Sequence, residues 1–336
     1  MTEIGTIIEG KYKVLKQIGK GGMSKVYLAR DINLDKQWAI KEIERKVFDR
    51  NNEVLVASVM AEANIIKKLD HPSVPKIVDI IEKETVIYVV MDYIEGETLS
   101  SILKKEGAQP QEVVIKWAKE VCVVLEYLHT QNPPIIYRDM KPANIMLQQN
   151  GHIKLIDFGI AREYKKQNLT DTVYLGTRGY AAPEQFGGMG QTDARTDIYC
   201  FGVTLYELLT GKNPCEPPYE IYPIQYWNQK LSRHLEYMIS KCMEPNPENR
   251  YQSCREVLYS LNHVEKIVLR DKYRKKVIET LSNGIQRKKL IEQENNAPNE
   301  IESSKKRAAQ YAARNIVSLE KDEEDYSVIR GPFYNE

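Results

Sequence analysis

Hydrophobic and polar positions alternate in short segments over the first ninety or so residues. YKVLKQIG, KVYLAR, QWAIKEI, KIVDIIE and VIYVVMDYI are separated by turn-forming residues, the pattern of β-strands joined by turns. Between the third and fourth segments, apolar residues recur at helical spacing from about residue 53: Leu55, Val59, Ile66 and Leu69. This order predicts a small, antiparallel five-stranded sheet with one helix.

The pattern becomes helical after EGETL. QPQEVVIKWAKEVCVVLEYLHTQ spaces its apolar residues along one helix face, and RTDIYCFGVTLYELLTG is apolar nearly all round and stops at Gly211. The second segment therefore predicts a helix buried inside a larger domain. LSRHLEYMISKCM and SCREVLYSLNHV predict two more helices. The fold class expected is α+β, with a sheet-rich first part and a mainly helical second part.

The composition shifts at about residue 265. RDKYRKK and QRKKL are basic, whereas EKDEEDYS is acidic and few large apolar residues remain. This predicts a helical or disordered tail. Because acids are interleaved with the basic clusters, a solvated charged helix is favoured over weak contact with an anionic membrane surface. Docking of a partner stays open.

Composition excludes several classes of protein. Lys and Arg number 48 against 47 Asp and Glu, so no nucleic-acid partner is expected. The N-terminus lacks the pattern of a secretory signal, and no run approaches the roughly 18 apolar residues of a membrane span. The five cysteines form no CxxC pair. We therefore expect a cytoplasmic protein without a structural zinc site.

A polar interruption marks the segment IIYRDMKPANIML. Arg138, Asp139, Lys141 and Asn144 stand among apolar residues there. Charged groups near a core are costly unless they are paired or bind a ligand. The segment is therefore either a solvated turn between strands or a functional site, and by itself it leaves both open.

The turn GKGGMSKV places Gly19, Gly21 and Ser24 between two predicted strands. Glycines allow backbone N–H groups to approach phosphate oxygens, although most glycine-rich turns are only turns. A dinucleotide-binding turn has to lead into a helix, and a Walker loop needs GK followed by Ser or Thr. Neither condition is met, so a hairpin folded over a nucleotide remains.

Two charged residues of opposite sign interrupt apolar patterns that are expected to pack together. Glu62 falls on the apolar face of the first helix, and Lys41 interrupts the strand WAIKEI. Alone, Glu62 reads as a boundary residue whose carboxylate reaches solvent. Together the two are best explained as an ion pair, and a lysine held in this way can bind phosphates.

Taken in order, these motifs resemble the protein kinase family. They are GKGGMSKV, AIK, Glu62 before HP, YRDMKPAN, DFG, APE, DIYCFG and PENRYQS. GKGGMSKVYLARD and PEQF are most similar to the eukaryotic-like serine/threonine kinases of bacteria. The resemblance covers residues 12–264 and implies a bilobal fold. Its expected parts are a lead at 1–11, an N-lobe at about 12–91, a hinge at 92–96, a C-lobe at 97–264 and the tail at 265–336.

The resemblance implies transfer of the γ-phosphoryl group of ATP, with Mg²⁺, to protein hydroxyls. Asp139 is then the residue that orients the acceptor hydroxyl and takes its proton, and Lys141 neutralises charge on the transferring group. Asn144 and Asp157 hold the magnesium. Phosphoryl transfer needs this kind of positioned charge and little covalent chemistry.

The resemblance also implies a nucleotide site in which Lys41, held by Glu62, binds the α- and β-phosphates. Val26, Ala39 and Met146 enclose the adenine, with Met91 at the back of the pocket. The other ATP-binding residues expected are Ile18, Gly19, Lys20, Gly21, Gly22, Met23, Ser24 and Lys25 in the loop, and Asp92 and Ile94 in the hinge.

Acceptor choice and regulation follow from the same resemblance. Lys141 in contact with Thr177 is typical of serine/threonine kinases, so proteins with Ser or Thr acceptors are the expected substrates. Phosphate on Thr170 or Thr172 is expected to pair with Arg138 and order the loop, with self-association for autophosphorylation. The alternative is that both threonines are ordinary loop residues.

Other positions match structural features of the family. Ile66, Ile77, Tyr137 and Phe158 match its stacked apolar spine, anchored by Asp197. Glu184 and Arg250 match a buried ion pair, whereas Cys200 reads as packing.

A protein serine/threonine kinase has two alternatives: a pseudokinase scaffold and a small-molecule kinase. Pseudokinases generally lack residues of the Lys41, Asp139 or Asp157 type, and the APE and GTRGY segments favour protein acceptors. The sequence leaves open whether the chain is full length or a fragment of a membrane-anchored kinase.

Overall fold

A computed structural model describes residues 2–20, 24–44, 60, 63–158, 162–163, 177–186 and 191–294. Six residues expected in the site lie outside these ranges: Gly21, Gly22, Met23, Glu62, Thr170 and Thr172. The chain forms two compact units, residues 1–266 and 267–336. The candidate site belongs to the first.

The first unit begins with a six-stranded antiparallel sheet in the order β1-β2-β3-β4-β6-β5. The strands are β1 (Ile7–Ile8), β2 (Tyr12–Lys20), β3 (Ser24–Asp31), β4 (Gln37–Glu44), β5 (Ile77–Glu82) and β6 (Val86–Asp92). The five predicted strands are present. The additional strand, β1, lies in the segment expected to be only a lead and pairs with β2.

Alternation along the strands buries both faces of this sheet. Tyr12, Ala29, Ile40 and Val90 belong to a cluster on one side. A second cluster contains Ile43, Ile87 and Val89 with Ala63, which belongs to the helical residues 63–67. Because successive side chains of a strand point to opposite faces, β4 and β6 contribute to both clusters.

The rest of the first unit is mainly helical. Its helices are α1 (Leu99–Glu106), α2 (Gln111–His129), α3 (Ala194–Thr210), α4 (Ile224–Trp227) and α5 (Arg233–Cys242). A sixth helix, α6 (Cys254–Glu294), continues into the second unit. Short strands complete the fold: β7 (Gly96–Thr98), β8 (Ile135–Ile136), β9 (Ile145–Gln148), β10 (Ile153–Leu155) and β11 (Arg162–Glu163). They form the sheets β10-β9-β7 and β11-β8.

Helix α3 is the buried centre of the helical part, as its nearly uniform apolarity predicts. Asp193 caps its N-terminus in a capping box with Thr196, and Gly211 ends it in the left-handed conformation, both standard helix boundaries. At Gly202 an added Cβ would lie 2.7 Å from the Cβ of Cys242 on α5. This close approach fixes α3, and with it Asp197 in the first turn of the helix.

The predicted tail is helical up to Glu294. No helix in the described part of the chain combines the length and apolarity needed to cross a membrane.

Candidate active site

The segment IIYRDMKPANIML consists of the strand β8, a connecting loop and the first part of the strand β9. Its backbone is held by Asp197, whose Oδ2 accepts from the amide of Tyr137 at 2.9 Å and whose Oδ1 accepts from the amide of Arg138 at 2.6 Å. Arg138 has φ +66°, a conformation that is strained for a residue with a Cβ. A fully buried carboxylate therefore supports the strained turn that presents Asp139.

Asp197 also contacts His129, a residue that the sequence patterns did not single out. His129 Nε2 lies 2.7 Å from Asp197 Oδ2, and His129 Nδ1 lies 3.7 Å from the Cys254 thiol. Because a carboxylate is an acceptor only, Nε2 carries the hydrogen. The sequence contains no pattern that indicates this contact.

Three donors converge on the carboxylate of Asp139. Lys141 Nζ lies 2.7 Å and Asn144 Nδ2 2.9 Å from Oδ2, and the Thr177 hydroxyl donates to Oδ1 at 2.8 Å. Lys141 Nζ also donates to Thr177 Oγ1 at 2.6 Å. The side chain of Asp139 keeps 15% exposure. The arrangement presents an oriented carboxylate beside a fixed positive charge, as an acid–base site requires.

The predicted pairing of Thr177 with Lys141 is therefore confirmed. The additional bond from Thr177 to Asp139 was not predicted.

Lys41, on β4, forms an ion pair with Asp157. Lys41 Nζ lies 3.6 Å from Asp157 Oδ1, with the lysine side chain 16% and the aspartate side chain 53% exposed. Asp157 has φ +62°, which turns the chain sharply before Phe158. The sequence pattern predicts that Lys41 forms an ion pair with Glu62. Because Glu62 lies outside the described residues, this ion pair stays a prediction.

The expected nucleotide residues lie on neighbouring strands. In the β2–β3 hairpin, Gly19 pairs with Val26 and Lys20 with Lys25, and an added Cβ at Gly19 would lie 3.4 Å from the Cβ of Val26. In the next strands Ala39 lies opposite Met91.

The remaining expected contacts of the nucleotide lie in the same unit. Ser24 pairs with Ile43 on β4, and Met146 on β9 lies opposite Thr98 on β7. In the expected hinge, Asp92 Oδ2 accepts from the amide of Lys76 at 3.0 Å and Ile94 is buried, whereas Ile18 is exposed. Assignment of these residues to ATP binding remains a prediction.

Tyr137 packs edge-on against Phe158, with ring centroids 5.1 Å apart, and both side chains are fully buried. The Tyr137 hydroxyl also donates to the carbonyl of Ile156 at 2.5 Å. The sequence identified Tyr137 as a packing aromatic. Its hydroxyl additionally ties the Asp139 loop to the residue that precedes Asp157.

The expected ion pair of Glu184 and Arg250 is present and bidentate, with N···O distances of 2.7 and 2.9 Å. The Arg250 side chain is completely buried, and Thr196 donates to Glu184 Oε1. Cys200, read as a packing residue, is buried in α3 and lies next to Gln185. Gln185 in turn donates to the carbonyl of Arg138.

Asn144 and Asp157 offer the donor types that magnesium prefers, namely an amide and a carboxylate oxygen. The described residues contain no group of three or more His, Cys, Asp or Glu side chains able to hold a metal. Magnesium in nucleotide sites is usually bound through one or two carboxylates together with substrate phosphates. The two residues therefore fit a magnesium ion that arrives with a nucleotide.

Residues 12–263 match the family model described as the protein kinase domain. The chain belongs to the protein kinase family. The predicted family and bilobal fold class are thereby confirmed. Relatives include a probable serine/threonine-protein kinase of Clostridium perfringens, 36% identical over 78% of this chain and 39% of the relative.

Two further relatives are similar over the same region. PrkC of Bacillus subtilis is a serine/threonine-protein kinase, 35% identical over 76% of this chain and 40% of its own length. PknB of Mycobacterium tuberculosis is also a serine/threonine-protein kinase, 34% identical over 76% of this chain and 43% of its own length. The chain thus spans about two fifths of the length of these curated relatives.

Proposed function

We propose that this kinase domain transfers the γ-phosphoryl group of ATP to Ser and Thr hydroxyls of proteins, with Mg²⁺. The observation that carries the proposal is the set of donors around Asp139. Lys141, Asn144 and Thr177 all donate to its carboxylate, which holds it beside a positive charge. Phosphoryl transfer depends mainly on such positioning and electrostatic stabilisation.

Asp139 orients the acceptor hydroxyl and accepts its proton as the new O–P bond forms. The Thr177 hydroxyl donates a hydrogen bond to Asp139 Oδ1. The acceptor hydroxyl is proposed to bind the same carboxylate. Lys141 stays beside it and offsets negative charge on the phosphoryl group. The bond between Lys141 and Thr177 supports Ser and Thr as acceptors.

Lys41 is the proposed ligand of the α- and β-phosphates, since its ammonium already lies near Asp157. Asn144 and Asp157 would hold magnesium, which neutralises phosphate charge when it is bound. The β2–β3 hairpin covers the phosphates, Val26, Ala39 and Met146 enclose the adenine, and Asp92 and Ile94 belong to the hinge. Because the reaction consumes ATP, we also propose that the domain works in the cytoplasm.

Activation by autophosphorylation at Thr170 or Thr172 is part of the proposal, with a second copy of the domain catalysing the transfer of the γ-phosphoryl group from ATP. Arg138 lies one residue before Asp139 and is the proposed partner of the phosphate. Phosphopeptide mapping of an active preparation is expected to find one of these sites occupied. An active preparation with both sites unmodified would remove this part.

The experiment that tests the reaction measures phosphate transfer from labelled ATP to dephosphorylated casein, with and without a magnesium chelator. Asp139→Asn keeps the shape of the side chain and removes the base, so transfer should fall by about 10²- to 10⁴-fold while nucleotide binding persists. Equal transfer by both proteins would overturn the role of Asp139. Absence of transfer by the wild type would overturn the proposed activity.

A further inference from the structure

The turn formed by residues 177–180 lies beside the catalytic base. Thr177 bonds directly to Asp139 and Lys141, and the amide of Tyr180 donates to the carbonyl of Thr177 at 3.0 Å, which closes the turn. Arg178 and Gly179, at its tip, are exposed. An acceptor hydroxyl that reaches Asp139 would therefore lie close to this turn.

A second loop, residues 212–216, packs against the tip of the turn. Gly179 has φ +86°, and an added Cβ there would lie 2.9 Å from the carbonyl of Pro214 and 2.9 Å from the Cys215 sulfur. Real Cβ atoms do not approach other atoms so closely. The two backbones are therefore in direct contact, and only glycine fits at position 179.

Cys215 bonds the two segments together. Its thiol donates to the carbonyl of Arg178. Its own amide donates to Asn213 Oδ1 at 2.9 Å, so the 212–216 loop presents the thiol in a fixed direction. Partial burial against the turn, with the neighbouring Glu207, raises the pKa of the Cys215 thiol, so at neutral pH the sulfur carries the hydrogen that it donates.

The other end of the turn is held independently. The Tyr180 hydroxyl bonds to Glu207 on α3, and both side chains are buried. The turn is thus held at Thr177 by the catalytic loop, at Tyr180 by α3, and at its exposed tip by Cys215. Among the described residues, the thiol of Cys215 provides the side-chain hydrogen bond at the tip, next to the backbone contact of Gly179 with Pro214.

We propose that Cys215 is a positioning residue, which holds the turn 177–180 against Asp139 and thereby sets how tightly an acceptor protein binds. The inference rests on the proposed phosphotransfer reaction. The residue acts through the Arg178 carbonyl and not on the phosphate or the nucleotide. It should therefore affect the acceptor side of the reaction and leave the ATP side unchanged.

Three variants of the full chain test the inference. Cys215→Ala removes the thiol that donates to the Arg178 carbonyl. Cys215→Ser replaces it with a hydroxyl donor, whose C–O bond is shorter than the C–S bond of cysteine. Lys212→Gln is the matched control, since it lies in the same loop but its ammonium lies over the Trp227 ring. The steady-state KM for dephosphorylated casein, the KM for ATP and kcat are measured for each.

We expect Cys215→Ala to raise the KM for casein by about threefold to tenfold, the effect of one lost hydrogen bond. Its KM for ATP should stay within about twofold of wild type. Cys215→Ser should fall between wild type and Cys215→Ala, and Lys212→Gln should match wild type. Equal losses for ATP and casein would overturn the inference, because they indicate general loss of structure. A wild-type KM for casein in Cys215→Ala would also overturn it.

Hydrogen exchange at the amides of Tyr180 and Ala181 gives a measurement that needs no activity. Both amides donate to the Thr177 carbonyl, so loosening the tip should speed their exchange in Cys215→Ala and less so in Cys215→Ser. Unchanged exchange overturns the positioning role. If wild type transfers no phosphate, the proposed function is wrong, and so is the proposed effect of Cys215 on binding of the acceptor protein. Faster exchange in Cys215→Ala then still supports the positioning of the turn.

A thiol reagent offers an independent check. The other four cysteines are buried and Cys215 alone is exposed, so N-ethylmaleimide should modify Cys215 first in the folded protein. The adduct removes the donor and adds bulk against Gly179. It should therefore raise the KM for casein in wild type and have no effect on Cys215→Ala. Equal inhibition of both proteins would contradict the role of Cys215.

Discussion

The Thr177 hydroxyl donates a hydrogen bond to Asp139 Oδ1 at 2.8 Å, across 38 positions of sequence. Lys141 completes a triangle with the two residues. The turn 177–180 and the proposed catalytic base are thus parts of one hydrogen-bonded network. If either the turn or Asp139 is displaced, the hydrogen bonds that join them are lost.

Substitution of Thr177 should therefore reduce turnover without weakening nucleotide binding. We expect Thr177→Val to lower kcat for casein phosphorylation by about 10- to 100-fold, since it removes hydrogen bonds to two charged groups. Thr177→Ser keeps the hydroxyl and should stay within about threefold of wild type. Steady-state kinetics measure both effects. Wild-type kcat in the valine variant would show that the triangle has no part in turnover.

The Tyr137 hydroxyl provides a second test, because it can be removed while the ring stays. Tyr137→Phe keeps the edge contact with Phe158 and leaves the Ile156 carbonyl without this donor. Loss of a buried hydrogen-bond partner should lower the free energy of unfolding by about 1–3 kcal/mol. Tyr137→Ala also loses the ring and should cost about 3–5 kcal/mol. Urea denaturation followed by circular dichroism measures the two values, and equal stability of the phenylalanine variant and wild type would refute the role of the hydroxyl.

The buried ion pair of Glu184 and Arg250 predicts a non-additive response. Arg250→Met leaves the Glu184 carboxylate buried without its main partner and should lower the free energy of unfolding by about 3–5 kcal/mol. Adding Glu184→Gln removes the buried carboxylate charge that Arg250→Met leaves without its arginine partner. The double variant should therefore be more stable than Arg250→Met alone. Urea denaturation of the two single variants and the double variant completes the cycle. Strictly additive losses would mean that the two side chains are not coupled.

His71 should make stability depend on pH. Its Nδ1 accepts from the amide of Ser73 at 3.1 Å, and burial, with the nearby Lys154 charge, lowers the pKa of His71 below its ordinary value. Because the folded-state pKa is the lower one, the unfolded state binds more protons and stability rises with pH. The contribution of His71 to stability is fully present above about pH 6.5, the ordinary pKa of histidine in an unfolded chain. It is lost as pH falls from there through the folded-state pKa.

His71→Asn keeps an acceptor for the Ser73 amide but cannot be protonated. The fall in urea midpoint between pH 7 and pH 5 should therefore be smaller in His71→Asn than in wild type. Identical pH profiles for the two proteins would contradict this assignment.

Local patterns were sufficient to predict most elements of the fold. Alternation identified the five longer strands of the N-terminal sheet, and the all-round apolarity before Gly211 identified α3 as a buried helix. The strand β1 was missed because two residues are too few for alternation to be visible. It exists because β2 offers an edge to which Ile7 and Ile8 pair.

The motif YRDMKPAN likewise identified Asp139, Lys141 and Asn144 as a group, since they lie within six residues of one another. The bonds from His129 to Asp197 and from Cys215 to Arg178 were not visible in the sequence. Each joins segments far apart in the chain, the first between two side chains and the second between a thiol and a backbone carbonyl, and neither residue type is diagnostic by itself.

The sequence alone indicated the longer strands and helices of the fold and the chemical groups that the candidate site contains. Periodicity, capping residues and turn residues act over a few neighbouring positions and can be read locally. Only the tertiary structure decided which oxygen of Asp139 each donor contacts, that Asp197 supports the strained Arg138, and that Cys215 reaches the turn at Gly179. Those contacts depend on how helices and sheets pack, because hydrogen bonds require donor and acceptor to approach within about 3 Å in the right direction.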